Sequence, residues 1–391
     1  MNNLQTVHFE SAENLNHNLT QASELFPKLA LPKIERANLR DWDLFSHSLI
    51  DIPYQTDPPT LTGPDEIVVC NWSEATTEYF DLFNRYLFKA IPANKDKISA
   101  HNLAHLNRGT FIYVPDNCQV SDLVEINYDF STAPHQYLLL VLGKNTHLNY
   151  LEKLNASQDK SNKTFTVEII LEENAHLHYI ALDQLQGQAA SYIRRHSQVG
   201  TNSSILWSIG SFNNTWTITD IDNQLEGQAS HANLSVLAIV DGQTKQILDS
   251  KIHNKGPHSM GHINQHGATL DHGTLTMNGI GRIAKHAKQA DAQQENRLIM
   301  LSDHARGDAN PILLIDEFEV TAGHAASVAK VDENQLWYLM SRGIHRSEAE
   351  YLVIRGFLMQ AVNQLKNAKA RDILLEAVDE KLMTLRMTKN D

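Results

Sequence analysis

Short strand-like segments, separated by turn residues about every ten positions, constrain the fold of this chain more than any other feature. They run from about residue 105 to residue 315. In one of them Val167, Ile169 and Leu171 alternate with polar residues, which is typical of a strand with one buried face. No helical pattern of useful length interrupts the series. The spacing therefore predicts an all-β body and argues against a doubly wound α/β fold.

A weak internal repeat narrows the choice among all-β folds. Asn145 and His147 are matched 29 residues later by Asn174 and His176, in two similar segments. The segment around Asn117 resembles a third, more degenerate copy. A strand, an asparagine-bearing turn and another strand, repeated along the chain, is typical of a stacked β-solenoid. A β-sandwich tolerates the same pattern, so periodicity alone leaves both folds open.

The N-terminal region is predicted to be helical. Apolar residues recur at helical spacing within residues 1–50, from Leu15 to Leu29. The segment 51–64 contains four prolines and a glycine, which predicts an irregular connector. We therefore predict a helical region with its linker over residues 1–64.

The C-terminal region returns to helical patterns. Asp332 and Gln335 resemble a capping box, and Gly343 is a predicted helix stop. An apolar face at helical spacing follows. These signals predict a β core over residues 65–331 and a C-terminal helical region over residues 332–391.

Composition and charge exclude several classes of partner. The chain carries 33 Lys and Arg against 46 Asp and Glu, a net charge of −13, so we expect no nucleic acid and no anionic membrane surface as partner. No apolar run approaches the roughly 18 to 20 residues of a membrane helix, and the polar N-terminus predicts no signal peptide. Two cysteines, Cys70 and Cys118, predict reduced thiols in a cytoplasmic protein, too few for a four-thiolate cluster site.

Motifs for nucleotide binding and hydrolysis are missing from the sequence. Neither GxxxxGK[ST] nor a GxGxxG after a strand occurs. GxSxG and HExxH are also absent. We therefore expect a non-catalytic chain that does not hydrolyse ATP by itself.

Histidine is the unusual residue, with 20 in 391 positions. His176 and His178 stand at alternate strand positions and Asp183 follows. One hypothesis is therefore a two-histidine, one-carboxylate metal site in a cupin-like β-barrel enzyme. The repeat argues against it, because Asn149 takes the place of His178 in the earlier copy. The alternative is a set of polar residues on a solvated strand face.

Two further histidine features differ in character. The stretch from His253 to His272 holds five histidines among small and polar residues. It predicts either a solvated strand edge or a transient metal-handling surface, and the sequence leaves its role open. His324 is flanked by the small residues Gly323 and Ala325, so other groups can approach the backbone closely there. An imidazole in such a place can ligate a metal ion or transfer a proton.

Three segments resemble the SufB/SufD family of the SUF iron–sulfur cluster assembly system. They are RGTFIYVPDNCQV at 108–120, QADAQQENRLIMLSD at 289–303, and residues 311–344, which end in YLMSRGI. The resemblance covers roughly residues 100–365. The chain is more similar to the SufD branch than to SufB, which carries a cysteine near its C-terminal strands as a candidate cluster ligand. This sequence has no cysteine after Cys118.

The resemblance implies both a fold and a set of partners. The implied fold is a right-handed parallel β-helix core flanked by N-terminal and C-terminal α-helical regions. The implied assembly is a SufBCD scaffold complex, in which the chain pairs with a SufB paralogue and docks the SufC ATPase. A homodimer is the expected alternative when SufB is absent. The nucleotide site would then lie in SufC, in agreement with the missing phosphate loop.

The resemblance also implies site residues. His324 matches the histidine that SufD contributes to its interface with SufB. It is therefore a candidate ligand for iron or an iron–sulfur cluster held transiently there, with no cofactor bound stably by the isolated chain. Ala322 stands where some SufD proteins have a cysteine, so a thiolate role there is absent. The implied SufC-docking candidates in the C-terminal helices are Tyr338, Arg342, Gly343, Tyr351 and Phe357.

Overall fold

The body of the protein is a parallel β-solenoid with helices on both sides of it in the chain. A computed structural model describes residues 7–9, 12–47, 52–57, 61–62, 66–157 and 160–390. From β3 onward, successive strands alternate between two sheets, so each turn of the coil adds one strand to each sheet. The prediction of a mainly β solenoid with helical flanks is confirmed. The sandwich that periodicity left open is not the fold.

The element bounds show where the solenoid begins and ends. The strands are β1 (Leu61–Thr62), β2 (Val68–Asn71), β3 (Arg108–Val114), β4 (Gln119–Asp129), β5 (His135–Leu142), β6 (His147–Asn155), β7 (Lys163–Leu171), β8 (His176–Gln184), β9 (Ser191–Val199), β10 (Ser204–Ser211), β11 (Thr217–Leu225), β12 (His231–Val240), β13 (Lys245–Asn254), β14 (Met260–Thr269), β15 (Thr274–Ile283), β16 (Asp291–Met300), β17 (Arg306–Ile315) and β18 (Thr321–Lys330). The helices are α1 (Glu13–Leu25), α2 (Trp72–Glu78), α3 (Phe80–Tyr86), α4 (Lys97–Ala104), α5 (Glu333–Ser341), α6 (Arg346–Gln364) and α7 (Ala368–Asn390).

The described strands form two nine-stranded sheets. Sheet A has the order β1-β4-β6-β8-β10-β12-β14-β16-β18. Sheet B has the order β17-β15-β13-β11-β9-β7-β5-β3-β2. The two strands at the N-terminal end, β1 and β2, run antiparallel to their neighbours β4 and β3. From β3 and β4 onward the pairing is parallel, which is why each strand needs a full turn of chain to reach its neighbour.

Asparagines at one corner of the coil explain the sequence repeat. Asn117, Asn145, Asn174 and Asn202 have φ angles of 63°, 54°, 56° and 54°. This is the left-handed region, which Asn tolerates better than most residues other than glycine. The side chains also form a ladder. Asn145 Nδ2 donates to Asn117 Oδ1 at 3.0 Å, and Asn174 Nδ2 donates to Asn145 Oδ1 at 2.9 Å.

The corner predicts a difference between two substitutions of Asn174. Asn174→Ala should destabilise the protein by about 1 to 2 kcal/mol, because alanine resists the left-handed angle and cannot form the ladder bond. Asn174→Gly should cost less, since it loses only the ladder bond. Urea unfolding followed by circular dichroism would measure both. An alanine variant as stable as the parent would contradict the argument.

The interior of the coil is mainly apolar in its N-terminal half, where it also contains a buried ion cluster. Tyr150 and Tyr179 stack in register on neighbouring strands and are fully buried. Among these side chains lies Arg195, whose guanidinium contacts Glu152 at 2.6 Å and Asp183 at 2.5 Å. Burial raises the pKa of Glu152, and the neighbouring Arg195 opposes that rise. Pairing with the arginine offsets part of the cost of burying both carboxylates.

The N-terminal segment is less helical than its pattern predicts. Helix α1 ends at Leu25, two residues before Pro27, whose ring and missing N–H cannot continue a helix. A short 3-10 helix at Leu39–Asp41 follows. Helices α2, α3 and α4 then come before the first parallel strand, β3. The predicted core range of 65–331 therefore includes a helical stretch, because helices of seven or eight residues give little periodic signal.

A buried carboxylate fastens the loop between α3 and α4 to the solenoid. Glu168 on β7 accepts N–H hydrogen bonds from Phe88 at 2.9 Å and Ala90 at 2.6 Å. It also accepts the Ile91 N–H at 3.2 Å and the Tyr137 hydroxyl at 2.9 Å. Burial raises the pKa of Glu168 to about 7, although these hydrogen bonds act in the opposite direction.

This carboxyl predicts a pH dependence of stability. A raised pKa means that the folded state binds the proton more tightly than the unfolded state. The contribution of Glu168 to stability should therefore fall as pH rises from 4.5 to about 7, by ~3 kcal/mol for the full shift. Glu168→Gln should remove this contribution, measured as the difference in the urea midpoint between the variant and the parent at about pH 5 and at about pH 8. The surface variant Glu173→Gln should keep the contribution, and a Glu168→Gln variant that also keeps it would contradict the assignment.

Helices α5, α6 and α7 cover part of the outer face of sheet A. Leu358 of α6 belongs to the same apolar cluster as Ile239 of β12. Asp332 caps α5 as predicted, by accepting the Asn334 N–H at 2.9 Å. Gly343, with a φ of 84°, follows the end of α5, also as predicted. None of the helices within the described residues is long and apolar enough to cross a membrane.

Candidate functional site

The C-terminal end of the solenoid presents two open strand edges. Among the described residues, β17 pairs only with β15, and β18 pairs only with β16. At the other end of the coil, β1 and β2 cover the corresponding edges. Unpaired N–H and C=O groups along an edge are a template for pairing with another chain. We call β17, β18 and the turn at 316–320 between them the open end.

Apolar side chains accompany these edges. Phe318, in the turn of the open end, is 99% exposed. Leu314 and Ile315 on β17 and Val328 on β18 are also exposed. Exposed apolar residues along unpaired strand edges favour an interaction with another protein.

His324 occupies the last place in an interior column of the coil. The register aligns one residue from each strand of sheet A from β10 to β18, in the order Trp207, Leu234, Ile263, Gln294 and His324. The first four side chains are buried. His324 is exposed, because no further strand of this chain covers it. Its imidazole is therefore presented at the mouth of the coil.

His324 can complete a metal or cluster site but cannot form one alone. Among the described residues, no group of three or more His, Cys, Asp and Glu side chains lies close enough together to hold a metal ion. An iron–sulfur cluster is usually held by four protein ligands. The remaining ligands would have to come from a second chain at the open end.

The metal hypothesis built on His176, His178 and Asp183 is wrong. Strand β8 places the two histidines on its outer face, where His176 is exposed and His178 half-buried. Asp183 points into the coil and is fully buried against Arg195 at 2.5 Å. Successive side chains of a strand alternate between faces, so the carboxylate and the imidazoles cannot meet. The protein is also a solenoid and not a cupin barrel.

The histidines from His253 to His272 are dispersed over the solenoid. His253 faces Asp222 on sheet B at 3.6 Å. His266 packs against Phe357 with ring centroids 5.6 Å apart, and burial lowers its pKa to about 4. His272 stacks on the ring of His304 at 4.9 Å. The stretch as a whole therefore does not converge on one site.

The SufC-docking candidates fall into two groups. Tyr338 is 61% exposed, Arg342 lies over its ring at 5.3 Å, and Gly343 follows at the end of α5. Tyr351 instead donates its hydroxyl to Asp379 of α7 at 3.1 Å. Phe357 packs on His266 beneath α6. The first three residues are available to a partner, whereas Tyr351 joins α6 to α7 and Phe357 packs α6 on β14.

No sequence pattern indicated Trp337, the most exposed large apolar residue of α5. Trp337 is 70% exposed and Met340 is 40% exposed, whereas Leu336 is the buried residue of this helix. An exposed tryptophan beside Tyr338 gives a surface with the composition of a binding hot spot. A tryptophan in a short helix with a single buried position is the signal that could have identified it. We call Trp337, Tyr338 and Met340 the α5 patch.

Two sequence profiles match the chain in tandem. The profile described as SufBD protein N-terminal region matches residues 48–126. The profile described as SUF system FeS cluster assembly, SufBD core domain, matches residues 126–357, more than half of the chain. The chain therefore belongs to the SufB/SufD family of the SUF iron–sulfur cluster assembly system.

Named relatives agree with this assignment. The iron–sulfur cluster assembly protein SufD of Bacillus subtilis is 38% identical over 315 residues, 79% of this chain and 72% of the relative. A SufBD family protein of Staphylococcus saprophyticus is 24% identical over 369 residues, 92% of this chain and 79% of the relative. One from Staphylococcus epidermidis is 24% identical over 345 residues, 87% of this chain and 74% of the relative. The higher identity to the protein named SufD supports the predicted branch of the family.

Proposed function

We propose that this chain is the SufD-type scaffold subunit of a cytoplasmic SUF complex that assembles iron–sulfur clusters. The observation that carries the proposal is the open end of the solenoid. Its two unpaired strand edges, exposed apolar residues and terminal histidine suit the end of a second solenoid. A SufB paralogue supplies that second solenoid. Cluster atoms are cargo in this scheme, and the chain contributes a ligand and a shape.

The role of His324 follows from its position. It supplies one imidazole at the mouth of the coil, where the paralogue would supply the other ligands. A site shared between two chains can change when the chains move relative to each other. A nascent cluster or iron would therefore be held only while the pair is in one arrangement.

The α5 patch suits the ATPase partner. Trp337 and Tyr338 are large, rigid and exposed, and they lie on a helix that follows the last strand of the solenoid. This chain has no phosphate-binding loop, so nucleotide chemistry would occur in a SufC-type subunit docked there. Closure of that subunit could move the helices against the solenoid and reach the shared site.

Affinity capture of the tagged chain from its native lysate tests both surfaces. We expect a SufB-type paralogue and a small ATPase to be recovered together, as identified by mass spectrometry. Trp337→Ala should lose most of the ATPase and keep the paralogue, because it truncates the α5 patch. Phe318→Asp should do the reverse, because it places a charge at the open end.

The matched control for these variants is Phe80→Ala, which removes an exposed aromatic residue far from both surfaces and should retain both partners. If the tagged chain recovers only copies of itself, it forms a homodimer and the heteromeric proposal is wrong. Loss of both partners in the control would show that the capture does not report on specific surfaces.

A second prediction separates assembly from chemistry at His324. His324→Ala should leave the complex intact, because strand edges and apolar residues carry the pairing. Cluster formation on the complex should fall by about tenfold or more, because a ligand is lost. Anaerobic reconstitution with iron and sulfide, followed by visible absorbance, measures it. His272→Ala, another exposed histidine, should behave like the parent, and a His324→Ala complex that dissociates would instead indicate a structural histidine.

A further inference from the structure

A polar groove lies on the outer face of sheet A, beside the open end. It runs across β14, β16 and β18, and the end of α6 forms its rim at Gln364. Besides His324, which the cluster proposal uses, the groove contains ligating side chains that this proposal does not use, such as His262 and Glu295. Its lining includes His262, Gln293, Glu295, Gly323, His324 and Gln364.

One pair of side chains beside this groove has a separation compatible with two metal ligands, since His262 lines the groove and Asp291 is hydrogen-bonded to the lining residue Gln293. His262 Nε2 on β14 lies 3.1 Å from Asp291 Oδ2 on β16. Two ligand atoms about 2.1 Å from one ion, at adjacent coordination positions, are roughly 3.0 to 3.4 Å apart. The two atoms therefore already have the required separation, and a cation can take the place of the hydrogen bond between them. Both side chains are solvent-accessible, at 38% and 25%.

A further contact holds the carboxylate in place. Gln293 Nε2 donates to the other oxygen, Asp291 Oδ1, at 2.7 Å. Gln293 in turn lies over Gly323, where an added Cβ would come within 2.7 Å of Gln293 Oε1. Gly323 directly precedes His324. Hydrogen bonds to a ligating carboxylate orient it and are part of how proteins build metal sites.

Other histidine–carboxylate pairs lack this combination, and one of them, His196 with Asp220 at 3.3 Å, is buried. His47 and Asp43 are 3.4 Å apart, one helical turn from each other in an irregular segment outside the groove. His253 and Asp222 are 3.6 Å apart on sheet B, on the other side of the coil. His262 and Asp291 alone among these four pairs line or border the groove that also contains His324.

We propose that His262 and Asp291 form an entry site for a divalent iron ion beside the open end. Imidazole and carboxylate are suitable ligands for Fe²⁺. The two protein ligands leave the remaining coordination positions to water, so the ion would be held weakly and released readily. The identity of the ion as cargo rests on the proposed function. The existence of a two-ligand cation site does not depend on the proposed function.

The test is anaerobic equilibrium dialysis of the full chain against Fe²⁺. We expect the parent to bind one class of iron ions specifically. His262→Ala and Asp291→Asn should each weaken the affinity for these ions by tenfold or more. Gln293→Ala should weaken it less, because the ligands themselves remain. His47→Ala is the matched control and should bind like the parent. Equal binding by the parent and both ligand variants would overturn the proposal, as would no binding by the parent.

A second measurement locates the ion. Bound Fe²⁺ with peroxide and ascorbate generates hydroxyl radicals, which oxidise nearby side chains. Mass spectrometry should find oxidation concentrated in the peptides that contain residues 262–264 and 291–295, and the His262→Ala variant should lose it. Oxidation spread evenly over the 20 histidines would contradict a defined site.

The two proposals can fail separately. Iron binding is measured on the isolated chain, and capture of the paralogue and the ATPase needs no iron. A chain that binds iron at His262 but captures no partner would keep the site and reject the scaffold role. A chain that captures both partners but shows no iron at His262 would keep the scaffold role and reject the site.

Discussion

Parallel pairing at a nearly constant register is the constraint on which the rest of this structure depends. Each strand must meet its equivalent one turn later, and the left-handed asparagine corners such as Asn145 and Asn174 keep the turns aligned. A parallel coil cannot close on itself, so it ends in unpaired strand edges. Antiparallel β1 and β2 cover one end, whereas the other end stays open beside Phe318 and His324. The candidate site thus follows from the architecture.

Local patterns in the sequence were sufficient to predict the class of fold. They were also sufficient to reject one hypothesis, the metal site on β8. Strand alternation and the repeat predicted an all-β body and left a solenoid and a sandwich open, and the family resemblance then implied the solenoid. Gly343 predicted the end of α5. The same alternation contradicts the metal hypothesis, because His178 and Asp183 are an odd number of residues apart on one strand. Pro27 likewise explains why α1 stops early. In both cases the physical rule could be applied to the sequence alone. A broader pattern, the grouping of histidines or the helical spacing of apolar residues, led to the other prediction.

Contacts between turns could not be predicted in the same way. His262 and Asp291 are 29 residues apart, like the first repeat, yet the register pairs His262 with Gln293. The length of a turn changes along the coil, since 27 residues separate Ser204 from His231 and 31 separate Met260 from Asp291. A strand register that is extrapolated from one repeat therefore becomes wrong further along the coil. Which face of a short helix is covered also depends on packing between distant segments, which is why the α5 patch was missed.

The two sheets are covered by different segments of the chain, and this difference locates the groove. On sheet B the N-terminal segment packs through apolar clusters and through buried charges, such as Arg194 with Asp96 at 2.7 Å. On sheet A apolar faces of α6 and α7 pack against the strands, and α6 ends over β14, where Asn264 donates to Gln364 at 2.6 Å. The first half of β16 remains accessible there, next to β18. Cargo can therefore approach from the outer face of the sheet while a partner solenoid approaches along the axis of the coil. Delivery of the cargo and pairing with the partner solenoid then use different surfaces, and these surfaces meet at His324.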